Sequence, residues 1–113
     1  MQIKAESYGH AVIFNLKGDL TEDALQAFRL EMDRQITEGT VLDIVLNLEQ
    51  VPFIDSAGLE YLLDLGDKLA QNMARLRLAK PDENVRKILE IARLDSAFEV
   101  FDDIPQAIGS ERS

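Results

Sequence analysis

The stretch VPFIDSAGLEYLLDL, residues 51–65, contains the change in pattern that decides the fold. An apolar run, Val51 to Ile54, is followed by Asp55-Ser56-Ala57-Gly58 and then by a leucine-rich run. Small polar residues and a glycine at such a junction are typical of the passage from a core strand into the first turn of a helix. The stretch therefore predicts a strand end and a helix N-terminus, with an acid and a hydroxyl at the start of the helix.

Strand and helix patterns alternate on both sides of this stretch. Alternating apolar residues predict strands over residues 3–7, 10–18, 41–48, 75–79 and 98–101. Apolar residues at spacings of three and four predict helices from Thr21 to near Gly39, after Ser56 and after Pro81-Asp82, with a short helix in IPQAI. Since such alternation favours parallel pairing between strands that helices connect, the sheet is expected to be largely parallel.

The strands indicate where the helices pack. Three of them carry polar residues on the second face, whereas a sheet covered on both sides is apolar on both faces. The predicted fold class is therefore α/β, a single-domain, mixed, largely parallel β-sheet of four to five strands with helices mainly on one face. We expect the domain to span residues 1–109, followed by a flexible tail at 110–113, and a partly uncovered sheet face leaves weak homodimerisation open.

Charge and composition limit the classes of partner. The formal net charge is −9, which disfavours binding to nucleic acid or anionic membranes because phosphate contacts need clustered lysine and arginine. The chain has no cysteine, no recognisable metal-ligand spacing, and neither a secretory leader nor a membrane-length apolar run. We expect a cytoplasmic protein with no metal or other cofactor and with protein or small-molecule partners.

The acid and hydroxyl have a local interpretation that needs no partner. Ser56 is expected to be the N-cap of the second long helix, accepting a hydrogen bond from the amide of Gly58 or Leu59. Asp55 would add favourable negative charge near the positive end of the helix. Gly58 would allow close packing in the first turn.

A catalytic interpretation of the same serine is weaker. Ile54-Asp55-Ser56-Ala57-Gly58 partly resembles the nucleophile elbow of hydrolases, but the first glycine of that motif is missing. An acyl-transfer serine also needs a base within hydrogen-bond reach, and His10, the chain's single histidine, lies near the start of the second predicted strand. We therefore expect a protein that is not an enzyme.

A serine at an exposed helix start can also accept phosphate. The modification would add about −1.5 to −2 charges, which a partner packed over the site could bury only at a large cost in free energy. A helical wheel places Tyr61 on the solvent face beside Ala57 and Asp64, so Tyr61 is a candidate aromatic anchor for that partner.

The sequence resembles a known family. VLNLEQVPFIDSAGLEYLL is similar to the signature region of the STAS domain, with the Asp-Ser-x-Gly-Leu core at Asp55, Ser56, Gly58 and Leu59. Leu16-Lys17-Gly18-Asp19-Leu20 resembles the segment before the family's first helix, and VRKILEIARLDSAFEVFDDIPQAI resembles its closing part. The ordered matches extend over most of the chain.

The resemblance implies a bacterial anti-sigma factor antagonist that takes part in transcription regulation. In that scheme the unphosphorylated antagonist binds an anti-sigma factor and releases a sigma factor. The anti-sigma factor is often a serine kinase that phosphorylates the antagonist, and a PP2C-type phosphatase reverses the modification. The phosphorylated serine falls on Ser56, the acid needed for recognition on Asp55, and Ala57 leaves Ser56 as the sole hydroxyl of the motif. The candidate partner-binding residues are Asp55, Ser56, Ala57, Gly58, Tyr61 and Asp64.

The resemblance also implies a second function. STAS domains serve as constitutive subunits of lipid-transport or stress-signalling complexes and as tails of anion transporters. Because the chain begins at Met1 and has no membrane-length apolar run, we expect it not to be a transporter tail.

Overall fold

The computed structural model describes residues 1–37 and 43–109, and its strands and helices alternate as the sequence predicts. The expected helix end near Gly39 and the expected tail at 110–113 lie outside the described residues. The elements in chain order are β1 Gln2–Tyr8, β2 Ala11–Lys17, α1 Glu22–Thr37, β3 Asp43–Gln50, α2 Ser56–Gln71, β4 Leu76–Ala79, α3 Glu83–Ile91, β5 Glu99–Phe101 and α4 Ile104–Gly109.

The five strands form one mixed sheet in the order β1-β2-β3-β4-β5. The β1–β2 hairpin is antiparallel, and its turn contains Gly9 with a φ of 62°, a conformation that glycine adopts without steric cost. The other three pairings are parallel, and Phe14, Leu46 and Leu78 lie side by side across β2, β3 and β4. The predicted mixed, largely parallel sheet is confirmed.

The two faces of the sheet are covered unequally. Helices α1, α2 and α3 pack on one face, and their buried side chains form the main core with Phe14, Leu46 and Leu78. The second face carries a smaller apolar cluster around Ala107 of α4. On the same face Asn47 Nδ2 donates a hydrogen bond to Asn15 Oδ1 over 2.8 Å. The prediction of helices mainly on one face is therefore confirmed.

Two details of the expected core differ. Met73, expected on the buried stripe of α2, is 96% exposed, because α2 ends at Gln71 and Met73 has a φ of 62° that takes it out of the helical phase. Leu65, expected at the edge of the stripe, is 2% exposed. Arg77 of β4 is 1% exposed and lies between two carboxylates, Asp43 at 3.2 Å and Glu99 at 3.3 Å, which tie β3, β4 and β5 together.

Candidate functional site

The loops that follow β2 and β3 lie at the same edge of the sheet because the two strands are parallel. Main-chain hydrogen bonds join the loops. The amide of Gly18 donates to the carbonyl of Gln50 over 3.0 Å, and the amide of Leu20 donates to the carbonyl of Phe53 over 2.9 Å. The amide of Asp55 then donates to the carbonyl of Leu20 over 3.2 Å. The loop before Ser56 is therefore held by main-chain bonds, with little freedom of its own.

Asp55, and not Ser56, is the N-cap of α2. Asp55 has an extended backbone, and its Oδ1 accepts a hydrogen bond from the amide of Gly58 over 2.8 Å. Its Oδ2 accepts a second bond, 3.0 Å long, from the amide of Glu22 at the start of α1. The prediction of a Ser56 cap is wrong, because the two oxygens of the Asp55 carboxylate each accept a bond from the start of one helix.

Gly58 lies where α2 meets the β2–α1 loop. A Cβ atom at this position would come within 2.4 Å of the carbonyl oxygen of Leu20 and 2.8 Å of Cγ2 of Ile54. Real Cβ atoms do not approach other heavy atoms so closely, and the first of these neighbours is main chain. The glycine is therefore a steric requirement of the contact between α2 and this loop, which agrees with the close packing expected from the sequence.

Ser56 is the first residue of α2, and it is exposed. Its neighbours in the motif differ in exposure, since Asp55 and Ala57 are half-buried and Gly58 is buried. Glu60, one turn further along α2, is exposed and acidic. The hydroxyl thus stands on a firmly held backbone in negatively charged surroundings.

Tyr61 does not lie on the solvent face of α2. It is only 9% exposed, and its ring meets the ring of Phe28 edge-on, with centroids 5.5 Å apart. The guanidinium of Arg29 lies 5.1 Å from the centroid of the Tyr61 ring. The helical wheel gave the wrong position because it considers only the face of α2 that packs on the sheet. Tyr61 lies on a different face of α2, and α1 covers that face.

Burial also changes the acidity of this tyrosine. The pKa of Tyr61 is raised to about 12, mainly by desolvation and to a smaller extent by the nearby Asp33 carboxylate, while Arg29 opposes the increase. The neutral phenol is therefore part of the contact between α1 and α2 over the ordinary pH range.

A groove of about 580 Å³ runs between α1 and α2 beside Ser56. Ala57, Tyr61 and Asp64 line it from α2, while Arg29 and the 65% exposed Leu30 line it from α1. Three of the sequence-predicted residues thus share one surface. The residues of α1 were missed because no local signal in the sequence links them to a motif about thirty positions away.

His10 and Ser56 lie at opposite ends of the sheet. The carbonyl of His10 accepts a bond from the amide of Asp43 at the start of β3, whereas Ser56 follows the end of that strand. A strand of this length separates them by roughly 20 Å at about 3.3 Å per residue. His10 therefore cannot be the base for Ser56.

Over 1–37 and 43–109, no group of three or more histidine, cysteine, aspartate or glutamate side chains is arranged to hold a metal ion. No helix in these ranges is long and apolar enough to cross a membrane.

Comparison with known proteins identifies the family. The STAS domain family matches residues 2–107, and the chain therefore belongs to the STAS domain family, as its sequence motifs predict. A curated relative, an anti-sigma F factor antagonist from Lysinibacillus sphaericus, is 31% identical over 83 residues, which are 74% of this chain and 71% of the relative.

Solved structures of SpoIIAA are also similar. The anti-sigma factor antagonist SpoIIAA in its unphosphorylated form matches with a TM-score of 0.82 and 26% identity, covering 98% of this chain and 96% of that chain. SpoIIAA in its phosphorylated form, a Bacillus cell fate determinant, matches with a TM-score of 0.73 and 24% identity, covering 96% of this chain and 98% of that chain. At 24% identity, the similarity to the phosphorylated form shows a shared fold alone.

Proposed function

We propose that this protein is an anti-sigma factor antagonist whose binding is controlled at Ser56. In its unphosphorylated form it binds an anti-sigma factor and so releases a sigma factor. The anti-sigma factor is also a serine kinase, which phosphorylates Ser56 and ends the binding, and a PP2C-type phosphatase restores the active form. The exchange takes place in the bacterial cytoplasm and regulates transcription, with residues 1–109 as the functional domain.

The observation that carries this proposal is the exposure of Ser56 on a backbone that is held firmly on both sides. A kinase can reach an exposed hydroxyl without unfolding the domain. The names of the curated relative and of the unphosphorylated SpoIIAA structure support the role of anti-sigma factor antagonist.

The electrostatics of the site explain how phosphate would end binding. A phosphoserine adds about −1.5 to −2 charges, here beside Asp55 and within a helical turn of Glu60. The chain already carries a net charge of −9. A partner packed over Ser56 would have to bury this dianion without matched cations, which costs several kcal/mol. The host fold is spared because the start of a helix tolerates anions.

Direct phosphorylation tests the assignment of the acceptor. The purified protein is incubated with ATP and the cognate anti-sigma factor, and the modified residue is located by mass spectrometry. We expect one phosphate, on Ser56, and none on the Ser56→Ala variant. Ser96, which is also exposed and also preceded by an aspartate, is the internal control. Phosphate on Ser96, or none at all, would remove the switch.

Partner binding tests the consequence of the charge. Ser56→Asp should weaken binding to the anti-sigma factor at least about tenfold, because the partner would bury a charge with no counterpart. Ser96→Asp adds the same charge elsewhere and should bind like wild type. Circular dichroism and the melting temperature should stay near wild type in both variants.

Equal binding by Ser56→Asp and wild type would count against the charge switch. The alternative function is a constitutive STAS subunit of a lipid-transport or stress-signalling complex. The neighbouring genes separate the two functions independently. A kinase or sigma factor gene supports the switch, whereas a transporter ATPase operon supports the subunit.

A further inference from the structure

Asp55 holds together the beginnings of two helices that are far apart in sequence. Its Oδ1 binds the amide of Gly58 in α2 at 2.8 Å, and its Oδ2 binds the amide of Glu22 in α1 at 3.0 Å. Its own amide donates to the carbonyl of Leu20. These hydrogen bonds fix the residue immediately before Ser56 to the starts of both helices and to the loop before α1.

A second aspartate N-cap, at the start of α3, shows that such a connection is not a general property of capping. Asp82 begins α3, and its Oδ1 accepts one bond, 2.9 Å long, from the amide of Val85. That bond is local to one helix. Asp55 makes the same local bond and adds a second one to an amide 33 residues away.

We propose that Asp55 is a positioning residue, which presents Ser56 to the kinase by holding the starts of α1 and α2 together. This inference rests on the proposed function of Ser56. Asp55 then acts through the two amides that it binds, and the partner need not recognise the charge of its carboxylate. The alternative is that the kinase recognises the carboxylate directly.

The packing around Asp55 explains why positioning should matter. Gly58 leaves no free space against the carbonyl of Leu20, so α2 has one close-fitting position on the β2–α1 loop. The groove beside Ser56 has one wall from each helix. If the hydrogen bond from Asp55 to α1 is lost, the two walls of the groove and the Ser56 hydroxyl are no longer held in fixed positions relative to one another. Misplacement of a reacting group by about 1 Å can reduce a rate about 100-fold.

Asparagine at position 55 separates the two explanations when it is combined with a change at position 22. An asparagine side chain has one acceptor oxygen, and its amide group would face one of the two N–H donors. Glu22→Pro removes the donor in α1, and proline is well tolerated at the first position of a helix. The double variant thus satisfies the remaining amide, although it still lacks the Asp55 charge.

The experiment measures phosphorylation of Ser56 by the anti-sigma factor kinase and ATP in four proteins, namely wild type, Asp55→Asn, Glu22→Pro and the double variant. We expect Asp55→Asn to slow the reaction at least about tenfold in the wild-type background, as expected for a misplaced acceptor. Glu22→Pro alone removes the same bond to α1 and should itself slow the reaction about tenfold, and a wild-type rate in this variant would overturn the inference. In the Glu22→Pro background Asp55→Asn should add less than about twofold. Asp82→Asn, which keeps its single acceptor, is the matched control and should stay within about twofold of wild type.

An equal loss from Asp55→Asn in both backgrounds would overturn the inference, because the kinase would then be reading the charge itself. A second readout needs no kinase. Amide exchange of Glu22 in the isolated protein should become about tenfold faster in Asp55→Asn, since about 1.4 kcal/mol of hydrogen bonding is a factor of ten. Unchanged exchange would also overturn the inference, whereas a wild type that no kinase modifies would mean that the proposed function has failed.

Discussion

The tripeptide Asp-Ser-Ala occurs twice in this chain, at 55–57 and at 95–97, and the two copies occupy different environments. The first begins the 16-residue helix α2. The second lies in a turn between α3 and β5, which the amide of Ala97 closes by donating to the carbonyl of Leu94 over 3.0 Å. Ser56 and Ser96 are both exposed. Exposure and the preceding acid therefore do not distinguish the two serines.

The difference comes from what surrounds each copy. The residue that follows is Gly58 in the first copy, where a side chain would collide with main chain, and Phe98 in the second. Asp55 caps two helix starts, whereas Asp95 is exposed and caps no helix in the described part of the chain. A short motif thus becomes a firmly held site only where the tertiary structure uses each of its residues.

The largest expected effect comes from filling the space at Gly58. Gly58→Ala should lower the free energy of unfolding by about 3 kcal/mol, because the new methyl group would overlap the carbonyl of Leu20. The measurement is urea unfolding. Gly66→Ala in the same helix is the control, since its Cβ would make an ordinary 3.9 Å contact with Leu76 and should be neutral or stabilising by about 0.5 kcal/mol. Similar losses in both variants would contradict the steric explanation.

The second-largest effect on the free energy of unfolding is expected from the difference between Asp55 and Asp95. Asp55→Ala removes the acceptor of two helix amides and should cost about 2 kcal/mol, at about 1 kcal/mol for each N-cap bond. Asp95→Ala should stay within about 0.5 kcal/mol of wild type, as is usual for an exposed residue. Urea denaturation of the two variants under identical conditions gives the comparison. Equal costs would mean that the two copies are energetically equivalent.

A third expected effect is on the pH dependence of stability, and it compares wild type with Tyr61→Phe. The pKa of Tyr61 is raised to about 12, so the folded state keeps the phenol proton at pH values above 10. The contribution of this phenol to stability is therefore fully present below pH 10 and is lost as the pH rises toward 12. Relative to Tyr61→Phe, wild type should lose about 1 kcal/mol by pH 11. Denaturation of both proteins at pH 8 and pH 11 measures this. A constant difference between them would show that the phenol titrates normally.

The smallest expected effect is on partner binding, and it compares two charges on one helix. Asp64 lines the groove beside Ser56, while Asp67 lies on the side of α2 that faces Ala97. If the anti-sigma factor uses the groove, Asp64→Lys should change its affinity by less than about 1 kcal/mol, with a salt dependence typical of exposed charges. Asp67→Lys makes the same change of charge outside the groove and should have no effect. Titration calorimetry at two salt concentrations distinguishes the variants.

Much of the fold follows from local patterns. Alternating apolar residues gave strands β1 to β4, the spacing of Leu25, Phe28 and Met32 gave the buried side of α1, and all three residues are buried. Three predictions about the site failed or were incomplete. Ser56 is not the N-cap, Tyr61 is not on the surface, and the wall that α1 contributes to the groove was not foreseen.

The sequence by itself determined the order of the elements, the unequal faces of the sheet and the place of the exposed hydroxyl, because periodicity and helix-start residues act over a few neighbouring positions. Only the tertiary structure decided that the second oxygen of Asp55 binds Glu22 and that α1 covers Tyr61. The physical reason is that these contacts join residues about thirty positions apart. They exist because β2 and β3 run parallel and bring the loops before α1 and α2 to one edge of the sheet.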